Sequence, residues 1–281
     1  MIKVSGFTIV RNALRYGYPA LQSIKSILPI CDEFIANVGD SEDGTLEFIK
    51  SLKEPKLKII ENKWDLSKGK EILSEQTNIA LQACRGRWAF YLQSDEVIHE
   101  GDLPILREYM ETYLDREDVQ AFRFQWLHFY GSYFRYRIDS GWFQKQDRII
   151  RNDGTVESYG DAYAFRRRDG QPLKYKNTYS LLYHYGWVHS GDVMAKRRLN
   201  AEQIGFTSLR ENEKNSSYDY GDLNRFPIYF GTHPAVMKEC IDQHDLSQKD
   251  WDNIARKYWW HPAKILRVRY KTSKRIKYKI E

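Results

Sequence analysis

Two stretches decide the fold: Phe34-Ile35-Ala36-Asn37-Val38-Gly39-Asp40, and Trp88-Ala89-Phe90-Tyr91-Leu92 running into Gln93-Ser94-Asp95-Glu96. Each is a short apolar run closed by carboxylates. Runs of this length read as buried strands of a parallel sheet, and the acids behind them arrive at its carboxyl edge. Open α/β sheets take their ligands at that edge. A carboxylate there can hold a metal, a ribose hydroxyl or the edge of a base, so the pair points to a nucleotide-using site.

Outward from these runs the pattern repeats. Val4 to Val10 is a strand with Arg11-Asn12 opening the next loop, and Leu21, Ile24, Ile27 and Leu28 give helical spacing over Tyr18–Leu28. Asp40-Ser41-Glu42-Asp43-Gly44-Thr45 offers capping residues, Asp43 foremost, to a helix over Leu46–Leu52. A strand over Leu57–Ile60 and a helix over Lys70–Cys84 follow. Strand and helix thus alternate through about a hundred residues, which argues for βαβ units. Beyond Glu96 the regularity falls away. Helices are expected over Leu103–Leu114 and Asp192–Ile204, and strands over Val119–Phe129, Arg148–Arg151 and Ser180–Tyr185. The chain divides on this reading into a regular α/β half (1–125), a less regular half of the same domain (126–240) and a helical, basic tail (241–281).

A chain of 281 residues, 42% hydrophobic and 29% charged, buries a real core, which excludes a disordered chain. Aromatics reach 15%, with 20 Tyr and 8 Trp, an excess that suits flat, partly polar ligands such as sugar rings. No apolar run is long enough to cross a bilayer. Met1-Ile2-Lys3-Val4 enters a strand directly, and Cys31, Cys84 and Cys240 lack ligand spacing. A cytoplasmic, reduced protein is expected. The net charge of +6 is uneven, since eight basic residues fall between Lys264 and Lys279 and leave the body near neutral. Interleaved with Ile265, Leu266, Val268 and Tyr270, they suit contact with anionic membrane at its inner face, or else a solvated terminus. No recognition module for nucleic acid accompanies them.

The order and spacing of these elements resemble the family 2 glycosyltransferases of GT-A fold, mainly across residues 4 to 190. The likeness is carried by Ile9-Val10-Arg11-Asn12 after the first strand and by the acidic loop from Asp40 to Thr45. Asn78 in Gln76-Thr77-Asn78-Ile79-Ala80 and the Asp-X-Asp-like Gln93-Ser94-Asp95-Glu96 complete it. The resemblance implies a Rossmann-like, mainly parallel central sheet flanked by helices, with an irregular acceptor region and the basic tail behind it. It implies a transferase moving a sugar from a nucleotide-diphosphate donor, a UDP-sugar by preference, to a glycan or lipid-linked hydroxyl, most simply with inversion.

Carried over residue by residue, the resemblance puts Val10, Arg11, Asn12, Asp40, Asn78, Gln93 and Ser94 at the nucleotide, with Lys68 and Lys70 near its phosphates. Asp40 suits the N3–H donor of uracil because a carboxylate only accepts. Asp95 would hold a divalent cation, Mn²⁺ or Mg²⁺, with His184 as a second ligand and His189 behind it; for a lone His between two Tyr, a packed core residue is the plain alternative. Gln93 stands where the family's first acid belongs and gives no charge to a metal. Glu96 is either an aid to the cation or a solvated acid. Asp161, in a small-residue loop, is the favoured base, ahead of Glu157 and the more distant Asp139 and Asp147. Trp142 and Tyr136 would cover an acceptor sugar. Two rivals remain: a degenerate nucleotide-sugar-binding protein, which Gln93 favours, and a sugar-phosphate nucleotidyltransferase, whose basic, Gly-rich loop after the first strand is missing here.

Overall fold

The computed structural model describes residues 3–138, 142, 144–214 and 216–258 of the chain. Asp139, Phe143 and the basic run Lys264–Lys279 lie outside the described residues.

Seven residues, Val4–Val10, form β1, buried along their whole length. The chain continues through α1 (Ala20–Ile27), β2 (Glu33–Gly39), α2 (Thr45–Lys50), β3 (Leu57–Asn62), α3 (Glu71–Ala83) and β4 (Trp88–Tyr91). Here the βαβ reading holds to within a few residues. Strands β3, β2, β1 and β4 lie side by side, all parallel. Both faces of β4 are covered: Trp88, Phe90 and Leu92 join the core under α1, α2 and the later helix Leu103–Thr112, while Ala89 and Tyr91 join the core under α3. Burial on two faces explains why the sequence shows a continuous apolar run rather than alternation.

The second half adds β5 (Glu96–Ile98), α4 (Leu103–Thr112), β6 (Ala121–Tyr130), β7 (Ser132–Arg137), β8 (Lys145–Arg151), β9 (Val156–Tyr159), β10 (Ala164–Arg167) and β11 (Tyr175–Trp187). The sheet order is β3-β2-β1-β4-β8-β6-β11-β5, with β7 on β6, and β9–β10 a separate hairpin. β8 runs antiparallel between β4 and β6, β11 parallel to β6, and β5 antiparallel to β11. This is the GT-A-type α/β architecture expected above, with antiparallel strands inserted in its second half. The boundary drawn at residue 125 falls inside β6, so both halves share one sheet.

After β11 come α5 (Gly191–Gln203), α6 (Glu211–Lys214), α7 (Lys238–Asp242) and α8 (Asp245–Tyr258). α8 docks on β7 through Tyr133 N, which donates to Ser247 Oγ at 2.8 Å, and a buried Arg135–Asp250 ion pair at 3.0 Å. Among the described residues no helix is long and apolar enough to cross a membrane.

Candidate active site

β1 lies between β2 and β4, parallel to both, so the three strands end at one edge. Arg11 follows β1, Asp40 follows β2, and Gln93-Ser94-Asp95 follows β4. A cavity of about 510 Å³ opens at this edge, and Arg11, Gln93, Ser94, Asp95, Asp161 and His184 all line it. Topology alone brings together residues far apart in sequence, such as Arg11 and His184, 173 positions apart.

On the β2 side, Asp40 Oδ1 accepts from Arg11 Nε at 3.2 Å and from Trp64 N at 3.2 Å. Burial pushes its carboxyl up, but the Trp64 amide and the Arg11 guanidinium outweigh that and hold it below the usual range. Asp40 is therefore an ionised acceptor, 41% exposed; it does not itself line the cavity, which its partners Arg11 and Trp64 do. Trp64 lies so close to Gly39 that a β-carbon there would sit 2.7 Å from its Nε1. Asn12 does different work. It is buried with φ +51°, its Oδ1 accepts from Glu42 N at 2.9 Å, and its own amide donates to Ser41 Oγ at 3.0 Å. The side chain pins the acidic loop to the end of β1. Asp43 holds Thr45 N at 3.0 Å and Arg15 N at 2.6 Å, the turn role expected of it, although the residue entering α2 is Gly44.

On the β4 side, Asp95 Oδ2 lies 3.5 Å from His184 Nε2. Register explains the meeting, because β5 pairs with β11 so that Glu96 stands opposite His184. Gly186 is obligatory at this point: a β-carbon would fall 2.6 Å from Asp95 Oδ2 and 2.7 Å from the His184 ring. Burial raises the Asp95 carboxyl, yet His184 and Arg197 prevail and set it below the ordinary value. The other His184 nitrogen, Nδ1, is 3.0 Å from His128 Nδ1.

Among the described residues no three His, Cys, Asp or Glu side chains gather into an all-protein metal site. The Asp95–His184 pair nevertheless fits an ion that takes its other ligands from a substrate. Its 3.5 Å separation is about half an ångström wider than the ~3.0 Å between adjacent octahedral positions at bonds of about 2.1 Å, so a small side-chain shift brings both donors to one ion. Carboxylate with imidazole suits Mn²⁺ at least as well as Mg²⁺.

The β9–β10 turn supplies another part of the lining, next to the β4 end, where Gln93 Nε2 donates to Ala162 O at 3.4 Å. Asp161 and Tyr163 line the cavity, and Asp161 Oδ1 accepts from Tyr163 N at 3.3 Å. Several other residues singled out in the sequence are turned elsewhere. Glu157 pairs with Arg166 at 2.9 Å on the hairpin, away from the cavity. Asp147 is buried in a two-bond pair with Arg123 at 2.7 and 2.8 Å. Asn78 bonds Ser158 through both ends of its amide, at 2.9 and 2.8 Å, which docks β9 on α3. Lys68 is taken by Glu75, and neither it nor Lys70 lines the cavity. Tyr136 is 1% exposed in an aromatic core with Phe129 and Tyr229, so it offers no platform. Trp142 is half-buried, its ring 5.0 Å from His128 and 5.3 Å from Trp187, with Arg137 over it at 4.6 Å. Val10 is 1% exposed in the core. His189 packs against Gly17 and burial drops it to about 4, leaving it neutral and off the cavity.

Glu96 is neither a cation ligand nor a solvated acid. It is fully buried against Arg148, Nε to Oε2 at 2.8 Å and NH2 to Oε1 at 2.9 Å.

Sequence reasoning missed one wall altogether. Arg197, Asn200, Ala201 and Ile204 all line the cavity from α5 and its end, at spacings of three, four and seven. That stripe was legible once the helix was assigned. Arg197 is buried, donating from Nε to Tyr16 O at 2.6 Å, from NH2 to Gly17 O at 2.9 Å and from NH1 to Gly186 O. It fastens α5 to the loop after β1 and to the segment behind His184.

A profile of the family described as glycosyl transferase family 2 matches residues 8–170. Among solved structures, S. aureus TarS residues 1–349 align at 16% identity over 76% of this chain and 68% of that one, TM-score 0.41. The same protein in complex with UDP aligns at 17% identity over 76% and 68%, TM-score 0.42. Its complex with UDP-GlcNAc gives 16% over 76% and 69%, TM-score 0.40. No curated protein matches by sequence.

Proposed function

The chain belongs to glycosyl transferase family 2 and is a glycosyltransferase, and from that premise we propose that it moves a sugar from a UDP-sugar to a hydroxyl of a glycan or lipid-linked acceptor, with inversion. One observation carries the reading: the Asp95–His184 pair lines the same cavity as Arg11 and Trp64, the two residues whose N–H groups hold the ionised acceptor Asp40. A nucleoside diphosphate needs both, an acceptor for its base and charge compensation for its phosphates.

In this proposal Asp40 accepts from uracil N3–H, with Arg11 holding the carboxylate in place. Asp95 and His184 would hold a divalent cation, which would supply positive charge to offset the charge developing on a diphosphate leaving group. Arg197, 4.3 Å above the Tyr18 ring, keeps Asp95 ionised from behind. Asp161, which lines the same cavity as Asp95, takes the proton of the acceptor hydroxyl as the hydroxyl oxygen attacks the anomeric carbon. The diphosphate leaves toward the Asp95 side, and configuration inverts. Trp142 and Trp187 are the aromatic surfaces for an acceptor sugar. The Lys264–Lys279 run would place the enzyme at anionic membrane on the cytoplasmic side.

A binding protein without turnover is the reading favoured by Gln93, whose Nε2 donates to Ala162 O at 3.4 Å and adds no charge. One assay separates the two. Purified protein is offered UDP-sugars with Mn²⁺, with and without EDTA, and UDP release is followed. The transferase reading expects Mn²⁺-dependent UDP release that EDTA abolishes. Nucleotide-sugar binding with no release under any condition would replace it with the binding reading.

A further inference from the structure

The Glu96–Arg148 pair is wholly buried, both side chains at 0% exposure. Its carboxylate is saturated: besides the two guanidinium bonds, Trp126 Nε1 donates to Oε1 at 2.8 Å and Gln93 N to Oε2 at 2.9 Å. The guanidinium lies between the rings of Tyr91 and Trp126, 5.4 and 5.2 Å from their centroids. Its remaining nitrogen, NH1, donates to Tyr163 O at 3.0 Å and to Asp147 O at 3.2 Å.

Stability does not account for such a pair. Taking two charges out of water costs about what their attraction returns, and apolar residues of equal volume commonly do as well. What the pair supplies is direction, since a bidentate guanidinium fixes both partners in one plane. One partner, Glu96, is bonded in sequence to Asp95. The other, Tyr163, is the residue whose amide holds Asp161. Alongside, Gln93 grips the carbonyl of Ala162, a non-glycine residue kept at φ +60°. A turn in that conformation persists when its surroundings over-determine it.

We infer that Arg148 is a positioning residue that ties the wall carrying Asp95 to the wall carrying Asp161, setting the gap between the diphosphate end and the proton-accepting end of the reaction. The inference rests on the roles proposed above for Asp95 and Asp161.

Arg148→Lys tests it. Lysine keeps a counter-charge for Glu96 but is a compact donor that cannot serve the carboxylate and the Tyr163 carbonyl in one fixed plane. Hydrogen exchange in the 159–163 segment is expected to speed up about tenfold or more while the rest of the chain exchanges as in wild type. The kcat for transfer is expected to fall roughly 10- to 100-fold, the scale of an ångström-sized misplacement, with UDP affinity in Mn²⁺ within about twofold. The paired variant Glu96→Leu with Arg148→Met, which fills the space without charge, should fold and lose cation affinity as well as kcat. Unchanged exchange at 159–163, or a kcat within twofold of wild type, overturns the inference. Failure of both variants to fold also overturns it, by making the pair a stability element. Asp161→Asn run in parallel separates the two readings: full activity there faults the base assignment, while local exchange in Arg148→Lys still judges the tie.

Discussion

Replacing Glu33 by Gln reads out the energetics of the sheet away from the cavity. Glu33 opens β2 at the edge opposite the active site, and its side chain is 3% exposed. Oε1 accepts from Ser5 Oγ at 2.7 Å and Arg85 N at 2.8 Å, while Oε2 accepts from Lys58 Nζ at 2.6 Å and Arg85 NH2 at 3.0 Å. Burial would raise the carboxyl, but Lys58, Ser5 and Arg85 overcome it and hold the group at about 2 against an ordinary 4.5. That gap converts to ~3 kcal/mol. The Lys58 and Arg85 side chains are 46% and 63% exposed, so solvent screening brings the figure nearer ~2 kcal/mol. The sign follows from which state binds the proton first. The folded carboxyl is the stronger acid, so its contribution is complete above about 4.5 and is lost as pH falls toward about 2. Urea unfolding followed by tryptophan fluorescence should place Glu33→Gln ~2 kcal/mol below wild type at pH 7, with under half that gap left at about pH 3. Per folded molecule, kcat stays unchanged. Equal stability at pH 7, or a gap that widens on acidification, refutes the reasoning.

Asp161→Asn removes the only proton acceptor assigned on its wall, so kcat should fall about 10²- to 10⁴-fold with UDP affinity retained, whereas Glu157→Gln, paired with Arg166 outside the cavity, should leave kcat unchanged. Steady-state transfer kinetics decide between them, and equal losses would contradict the site. Arg197→Met strips donors from the carbonyls of Tyr16, Gly17 and Gly186 and is expected to cost about 3 kcal/mol in urea unfolding. An unchanged urea midpoint would show that α5 is not fastened in this way.

The parallel half was legible because its strands are buried on both faces and its acids follow closely, Asp40 one residue past β2 and Asp95 four past β4; β1 was read to the residue. The Asp95–His184 meeting was also in reach, since the family resemblance pointed to both residues and β5–β11 pairing brings them together. What escaped was pairing at long separation. Nothing local marks Glu96 as the partner of Arg148, 52 positions on, or Asp147 as the partner of Arg123. The three carboxylates Glu96, Asp147 and Glu157 therefore looked available when each already had a guanidinium. Asn78 and Asn12 misled for a related reason: a short amide with donor and acceptor serves a backbone as readily as a ligand, and here both pin loops. Tyr136 shows the converse limit, because aromatic enrichment says nothing about which rings a strand turns inward.

The most direct test of the account is calorimetric titration of UDP and of uridine into wild type, Asp40→Asn and Asp95→Ala, with and without Mn²⁺. The account predicts that UDP binding needs Mn²⁺ in wild type, is weakened in both variants, and loses its Mn²⁺ dependence in Asp95→Ala. Uridine, lacking phosphates, should respond to Asp40→Asn alone. UDP binding indifferent to Mn²⁺, or to either carboxylate, would contradict the claim that these two acids grip opposite ends of one donor.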